Sequence, residues 1–421
     1  FNYDWRKDFH KATNELSSKI TDIKNTSGQP KVDIITHSAG GLIARKYIAE
    51  PNNAVNVRKL FTITPPHLGA VKFIQYLRFG GCLTLNPLLE SPICAGISPT
   101  ALKDVLQNFR GGYQLIPSQK YYYFYDGSKP ELVEPYADAI DIDNDKITGS
   151  LSYHQTKNLL SNLNYNTILY DTAETFHSLD DSLSNTNGVD VTIFAGSGLS
   201  TTGQIIERSK TNWLGKSEKV HEIYKINGDE TVPLFSASLD DPINNRSLKG
   251  SARVLYVKAA HGEAPNKDSV LNQIKNLLSD NTQLVSGIQT ESFKLQGKLF
   301  GIFSPVNIHA YDSQGNHTGP LANGDYEANI PGSSYTQLEN DKFIWLPDDQ
   351  TYTVKMESTG EGSFDFKITD YDNDKPNKTT YYKEIPLTPN TKTELLVLSG
   401  LTQSPNITLD TDGNKDRKSV V

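Results

Sequence analysis

The tightest constraint on this chain lies between residues 31 and 50. Lys31–His37 (KVDIITH) carries the apolar run Val32, Ile34 and Ile35, the pattern of a strand buried in a parallel sheet. Small residues follow at Ala39, Gly40 and Gly41, and then Leu42–Glu50 (LIARKYIAE), which is rich in strong helix formers. Strand, abrupt turn and helix make half of a βαβ unit, so the chain must build an open parallel sheet with helices on its faces. The strand pattern recurs at Val57–Thr64, ended by Pro65–Pro66, and at Val189–Ala195, Val220–Ile226 and Ala252–Val257. Helical spacing appears at Phe9, Ala12, Leu16, Ile20 and Ile23, closed by Gly28 and Pro30, and again over Val270–Leu278. An α/β parallel sheet is therefore expected across residues 1–284.

Between about residues 71 and 188 glycines and prolines break the pattern, and Tyr121–Tyr123, Phe124 and Tyr125 form an aromatic cluster. An insertion of this length between sheet strands predicts a cap. From 285 to 400 only short strands and turn clusters remain, as at Asn307–Tyr311, Phe343–Leu346, Tyr352–Met356, Phe364–Ile368 and Glu394–Leu398. This second unit is expected to be an all-β sandwich, followed by a polar, disordered tail over 401–421. A length of 421 residues suits such a division. The net charge of −8 leaves no basic surplus for nucleic acid, and no apolar run is long enough for a transmembrane helix. Phe1 is not an initiator and Met356 is the sole methionine, so the chain is expected to be a processed or truncated piece, with any export signal outside it.

The chemistry concentrates at Thr36-His37-Ser38-Ala39-Gly40-Gly41. A serine between a strand and a helix, flanked by small residues, has the form of a nucleophile elbow, in which strain lifts the hydroxyl off the sheet. The helix behind it aims its first amides, beginning with Ala39, at developing negative charge. Thr36 departs from the pattern, since a β-branched residue crowds the turn. An activated serine needs a base and an orienting carboxylate. Asp229 (in Asn227-Gly228-Asp229-Glu230) and His261 (in Ala260-His261-Gly262) each follow a predicted strand, in the order serine, acid, histidine. Asp240 and Asp241 follow no clear strand, and Asp190 begins one. His37 is expected to pack beside the serine. His67 and Leu68 are candidate substrate contacts, with a structural role for His67 as the competing reading. No metal or cofactor is expected: Asp410–Asp416 lacks the glycine and the distant glutamate of a helix-loop-helix calcium loop, and reads as a solvated tail. Cys82 and Cys94 bracket an apolar stretch, and an exported protein would bridge them.

These motifs together resemble the lecithin:cholesterol acyltransferase and phospholipase family of α/β-hydrolases. Phe1-Asn2-Tyr3-Asp4-Trp5-Arg6, the serine segment with Leu42–Arg45, Thr64–Gly69, Tyr113–Ser118, Gly228–Pro233 and Ala260–Gly262 carry the resemblance, in the family's order, over residues 1 to about 280. It implies Ser38 as nucleophile, Asp229 as acid, His261 as base, and a lipid or carboxylic ester as substrate, with a cap that touches a lipid surface and an extracellular location. Lipid acyl transfer and an inactive surface-binding protein are the alternatives. In the family, several strands and a loop donating a second oxyanion amide precede the FNYDWR-like stretch. Without that donor, a rate lower by about 100- to 1,000-fold is expected, and the Ser38 strand should present an unpaired edge.

Overall fold

A computed structural model describes residues 1–81, 99–124, 135–138, 146, 148–178, 181–211, 215, 217–241, 246–303, 305–400, 407–410 and 418–420. Cys82, Cys94 and the acidic runs at 141–145 and 411–416 lie outside the described residues.

The expected parallel sheet is present. Strands β1 (Val32–His37), β2 (Val57–Ile63), β3 (Asp190–Gly196) and β6 (Arg253–Val257) run parallel in that order, and β7 (Ile288–Gln289) closes the far edge antiparallel to β6. The first sheet thus extends past residue 284 to Gln289. β2 and β3 are almost wholly buried because helices cover both faces. Helices α1 (Phe9–Ser27) and α2 (Ala39–Ala49) pack together, with Phe9, Leu16, Ile20, Leu42 and Tyr47 in one core. Helix α4 (Asp268–Leu278) buries Val270, Ile274 and Leu277 against Phe61, Phe194 and Leu255. Among the described residues β1 pairs only with β2, so it forms the edge that the family resemblance implies, with Ile35 53% exposed.

One strand falls elsewhere. Val220–Ile226 belongs to β5 (Ser217–Gly228), which pairs antiparallel with β4 (Leu199–Thr211) in a separate four-stranded sheet. β4 follows β3 after Ser197-Gly198, so the chain turns out of the parallel sheet and returns only at β6. The region from 71 to 188 is largely helical where described, with α3 (Val71–Phe79) followed by helices at Pro99–Leu106, Tyr153–Asn162 and Thr167–Ser178.

The carboxyl-terminal part is all β. A five-stranded antiparallel sheet (Gly297–Phe303, Ser334–Leu338, Asp341–Pro347, Gly362–Asp372, Lys375–Leu387) and a seven-stranded sheet enclose Phe300, Ile302, Ile308, Val354 and Phe366. Gly297–Phe303 is buried at every position, because its other face packs Leu299 and Phe303 into the core shared with the α/β part. Within the tail, Ile407–Asp410 and Lys418–Val420 are strands that extend the seven-stranded sheet.

Candidate active site

Ser38 sits between β1 and α2 with φ 52° and ψ −129°, a conformation that a side chain adopts only under constraint. Two features impose it. The Ser38 amide donates to the Ile63 carbonyl at 3.0 Å, fixing the turn to β2. Gly41 lies against Pro65, where a Cβ would come within 2.6 Å of the proline ring. Thr36 is accommodated because its hydroxyl donates to the Phe61 carbonyl at 3.3 Å, so the β-branched side chain leans toward β2 instead of crowding the turn.

Asp229 follows β5 and is fully buried. Its Oδ1 accepts from the amides of Thr231 (3.0 Å) and Val232 (2.6 Å), and its Oδ2 lies 2.8 Å from Nδ1 of His261. The opposite edge of that imidazole, Nε2, lies 2.9 Å from Ser38 Oγ. A carboxylate only accepts, so Nδ1 carries the hydrogen toward Asp229 and the Nε2 lone pair faces the serine hydroxyl. The His261 amide also donates to the Asp229 carbonyl at 2.9 Å, which holds acid and histidine together through main chain as well as side chain. The three side chains predicted from sequence are brought into one hydrogen-bonded line. Ala39, at the first position of α2, has an amide in the first helical turn, where no helical partner exists.

His37 packs as expected. Its Nε2 lies 2.9 Å from the His261 carbonyl, and burial, with the His261 ring beside it, lowers its pKa to about 4, so it is neutral near pH 7. His67 and Leu68, read from sequence as candidate substrate contacts, are both 0% exposed and offer no surface to a substrate in this conformation. The His67 carbonyl accepts from Arg45 at 2.8 Å, and burial followed by the Arg45 charge holds its imidazole well below the usual range. The Leu68 amide donates to Ser236 Oγ at 3.1 Å.

Sequence reasoning missed three contributors. Gly196, at the end of β3, permits a close approach: a Cβ there would lie 2.5 Å from that of Asp229. Asn227, two residues before the acid, accepts from the Gly198 amide (2.6 Å) and donates to the Phe293 carbonyl (2.7 Å) and Asp374 Oδ1 (2.8 Å). Asp374 belongs to the carboxyl-terminal β part, which therefore braces the acid-bearing loop. The third is a buried network behind the elbow. Arg45 of α2 pairs with Asp181 at 2.9 Å, Asp181 contacts His177 Nδ1 at 2.6 Å, and His177 Nε2 reaches the Gln114 carbonyl at 2.8 Å. Burial opposes the Asp181 charge, but His177 and Arg45 beside it bring its carboxyl below the usual range. Gln114 in turn accepts from the Phe9 amide and donates to Asp8, tying the segment between β2 and β3 to the start of α1.

Residues 1–120 match the lecithin:cholesterol acyltransferase family. Comparison with curated proteins gives no match. Among solved structures, the chain is similar to one in the Tle4–Tli4 complex at 16% identity and a TM-score of 0.43, covering 66% of this chain and 67% of that one. It is also similar to Bacillus licheniformis lipase BlEst2 in its propeptide form, at 14% identity and a TM-score of 0.37, covering 98% and 87%. The sequence thus resembles the lecithin:cholesterol acyltransferase-like α/β-hydrolases, with the family match falling on the segment that holds the serine turn.

Proposed function

We propose that this protein is a serine hydrolase of lipid or carboxylic esters, working through an acyl-enzyme on Ser38. The observation that carries the reading is the His261 imidazole, 2.9 Å from the serine oxygen on one side and 2.8 Å from the Asp229 carboxylate on the other. Ser38 Oγ attacks the ester carbonyl as its proton passes to His261 Nε2, and Asp229 stabilises the imidazolium. The oxyanion is met by the Ala39 amide at the positive end of α2. The leaving alkoxide takes the proton from Nε2. Water then gives a proton to Nε2 and attacks the acyl group, and as the bond to Ser38 Oγ breaks Nε2 returns that proton to the serine oxygen, releasing the acid and restoring the serine. The family match over residues 1–120 supports lipid esters as the substrate class. An extracellular location and contact of the cap with a lipid surface belong to the same reading.

A fluorophosphonate probe tests it, because only an activated serine reacts. Labelling should map to Ser38, vanish in Ser38→Ala, and slow strongly in His261→Gln. A folded protein that takes no label, or takes it equally in Ser38→Ala, refutes the proposal.

A further inference from the structure

A polar cavity, of about 420 Å³, opens between α3, the β4–β5 hairpin and the carboxyl-terminal β part. Its wall holds Ser200 and Thr202 from β4, Lys225 from β5, Lys72 from α3, and Glu230, with Tyr335 from the β part opposite. Lys225 is 3% exposed and Ser200 2%, so both are built into the interior.

Their bonding is incomplete. Lys225 Nζ donates to Thr202 Oγ1 at 3.2 Å, and no carboxylate among the described residues lies within ion-pairing distance of it. Ser200 Oγ is buried without a hydrogen-bond partner. Among the described residues Lys72 Nζ donates to neutral oxygens, the Glu230 carbonyl and the Thr231 hydroxyl, both at 3.3 Å, while the Glu230 carboxylate attracts it without contact. Arg78 and Glu339, also on the wall, are already matched by Glu207 and Lys219. The Glu230 carboxylate, on the same wall, attracts both lysines but contacts neither, so the buried amine of Lys225 has no directly paired charge and the buried hydroxyl of Ser200 no partner among the described residues, an arrangement that is costly unless something occupies the space between them.

We infer that this cavity is a binding site for a phosphate group, held by the ammonium groups of Lys225 and Lys72 and the hydroxyl of Ser200. A phosphate presents several acceptor oxygens and a negative charge, which matches a wall of donors. Burial pushes Lys225 down to about 7 and Glu230 up to about 7, so in the empty cavity both are partly neutral. An entering anion restores the lysine charge and accepts from the protonated carboxyl. The phosphate is either free or part of a lipid headgroup. The headgroup source rests on the ester-hydrolase reading, since Glu230 is the neighbour of Asp229; the binding itself does not.

The test is calorimetric titration of the whole chain with inorganic phosphate and, separately, with glycerophosphocholine, so no turnover is needed. Saturable phosphate binding is expected, weakened by about 10- to 100-fold in Lys225→Met, the equivalent of one charge-assisted hydrogen bond, and several-fold in Ser200→Ala. Tighter binding of glycerophosphocholine assigns the site to a lipid headgroup, and tighter binding of inorganic phosphate to a free anion. Ser200→Ala removes only an unpartnered hydroxyl, so it keeps the test decisive if Lys225→Met does not fold. If neither compound binds, or if Ser200→Ala titrates like the wild type, the inference is overturned. Because fluorophosphonate labelling at Ser38 is read independently, failure here leaves the hydrolase reading standing.

Discussion

Replacing Asn227 with alanine should weaken the acid-bearing loop more than any other change outside the three aligned side chains. The side chain is 7% exposed and makes three hydrogen bonds, to the Gly198 amide, the Phe293 carbonyl and the Asp374 carboxylate. Two are neutral, at about 1 kcal/mol each, and one is to a charged group, at about 1.5–3 kcal/mol, giving about 3.5–5 kcal/mol in all. Asp374 keeps the Leu295 amide and Lys294 as partners, which places the total at the lower end. The loss has two readouts. Urea denaturation should show a lower midpoint, and kcat/KM for a soluble ester should fall because Gly228 and Asp229 are no longer anchored from below. Asp374→Asn, which keeps an acceptor oxygen, should lose less of both. An Asn227→Ala protein within 0.5 kcal/mol (about the scatter of neutral surface changes) and with unchanged kcat/KM would show that the β part does not support the acid.

Three further outcomes are expected. Asp229→Asn, which preserves shape but upsets the imidazole tautomer, should lower kcat by about 10,000-fold while circular dichroism stays unchanged. Arg45→Met leaves Asp181 buried with its arginine partner gone, and should cost about 3–5 kcal/mol by chemical denaturation, whereas a loss below 1 kcal/mol (about the worth of an exposed pair) would mean that the pair is not buried as described. His37 has a folded pKa of about 4 against an ordinary 6.5, so the unfolded chain binds more protons between those values and stability rises with pH across that window. His37→Gln should flatten that acid limb by up to about 3 kcal/mol, measured as the unfolding free energy at pH 4 and pH 7.

The aligned side chains were legible because each follows a strand with small neighbours, a local signature that survives without knowledge of the fold. β5 was legible as a strand but not as a hairpin, since Val220–Ile226 has the same apolar pattern whether its partner runs parallel or antiparallel, and β4 (LSTTGQIIERSKT) is too polar to announce itself. Gly196 and Asn227 were invisible for a different reason: their roles depend on approaches between segments far apart in the chain. His67 and Leu68 follow the tight Pro65–Pro66 turn, where a site-facing position and a buried one carry the same local sequence, and tertiary packing put both inside. The polar composition of the tail concealed Ile407–Asp410, whose Ile407 is buried against the sandwich core.

Among the described residues the strand that leads into Ser38 hangs from one neighbour. Its outward-facing amides have no sheet partner among the described residues, while the Ser38 amide points inward to Ile63. In deuterated solvent alternate amides of Val32–His37 should therefore exchange at very different speeds, with the serine's own among the slow ones. The serine turn is suspended from the side that stays closed, so it keeps its shape while the border beside it breathes.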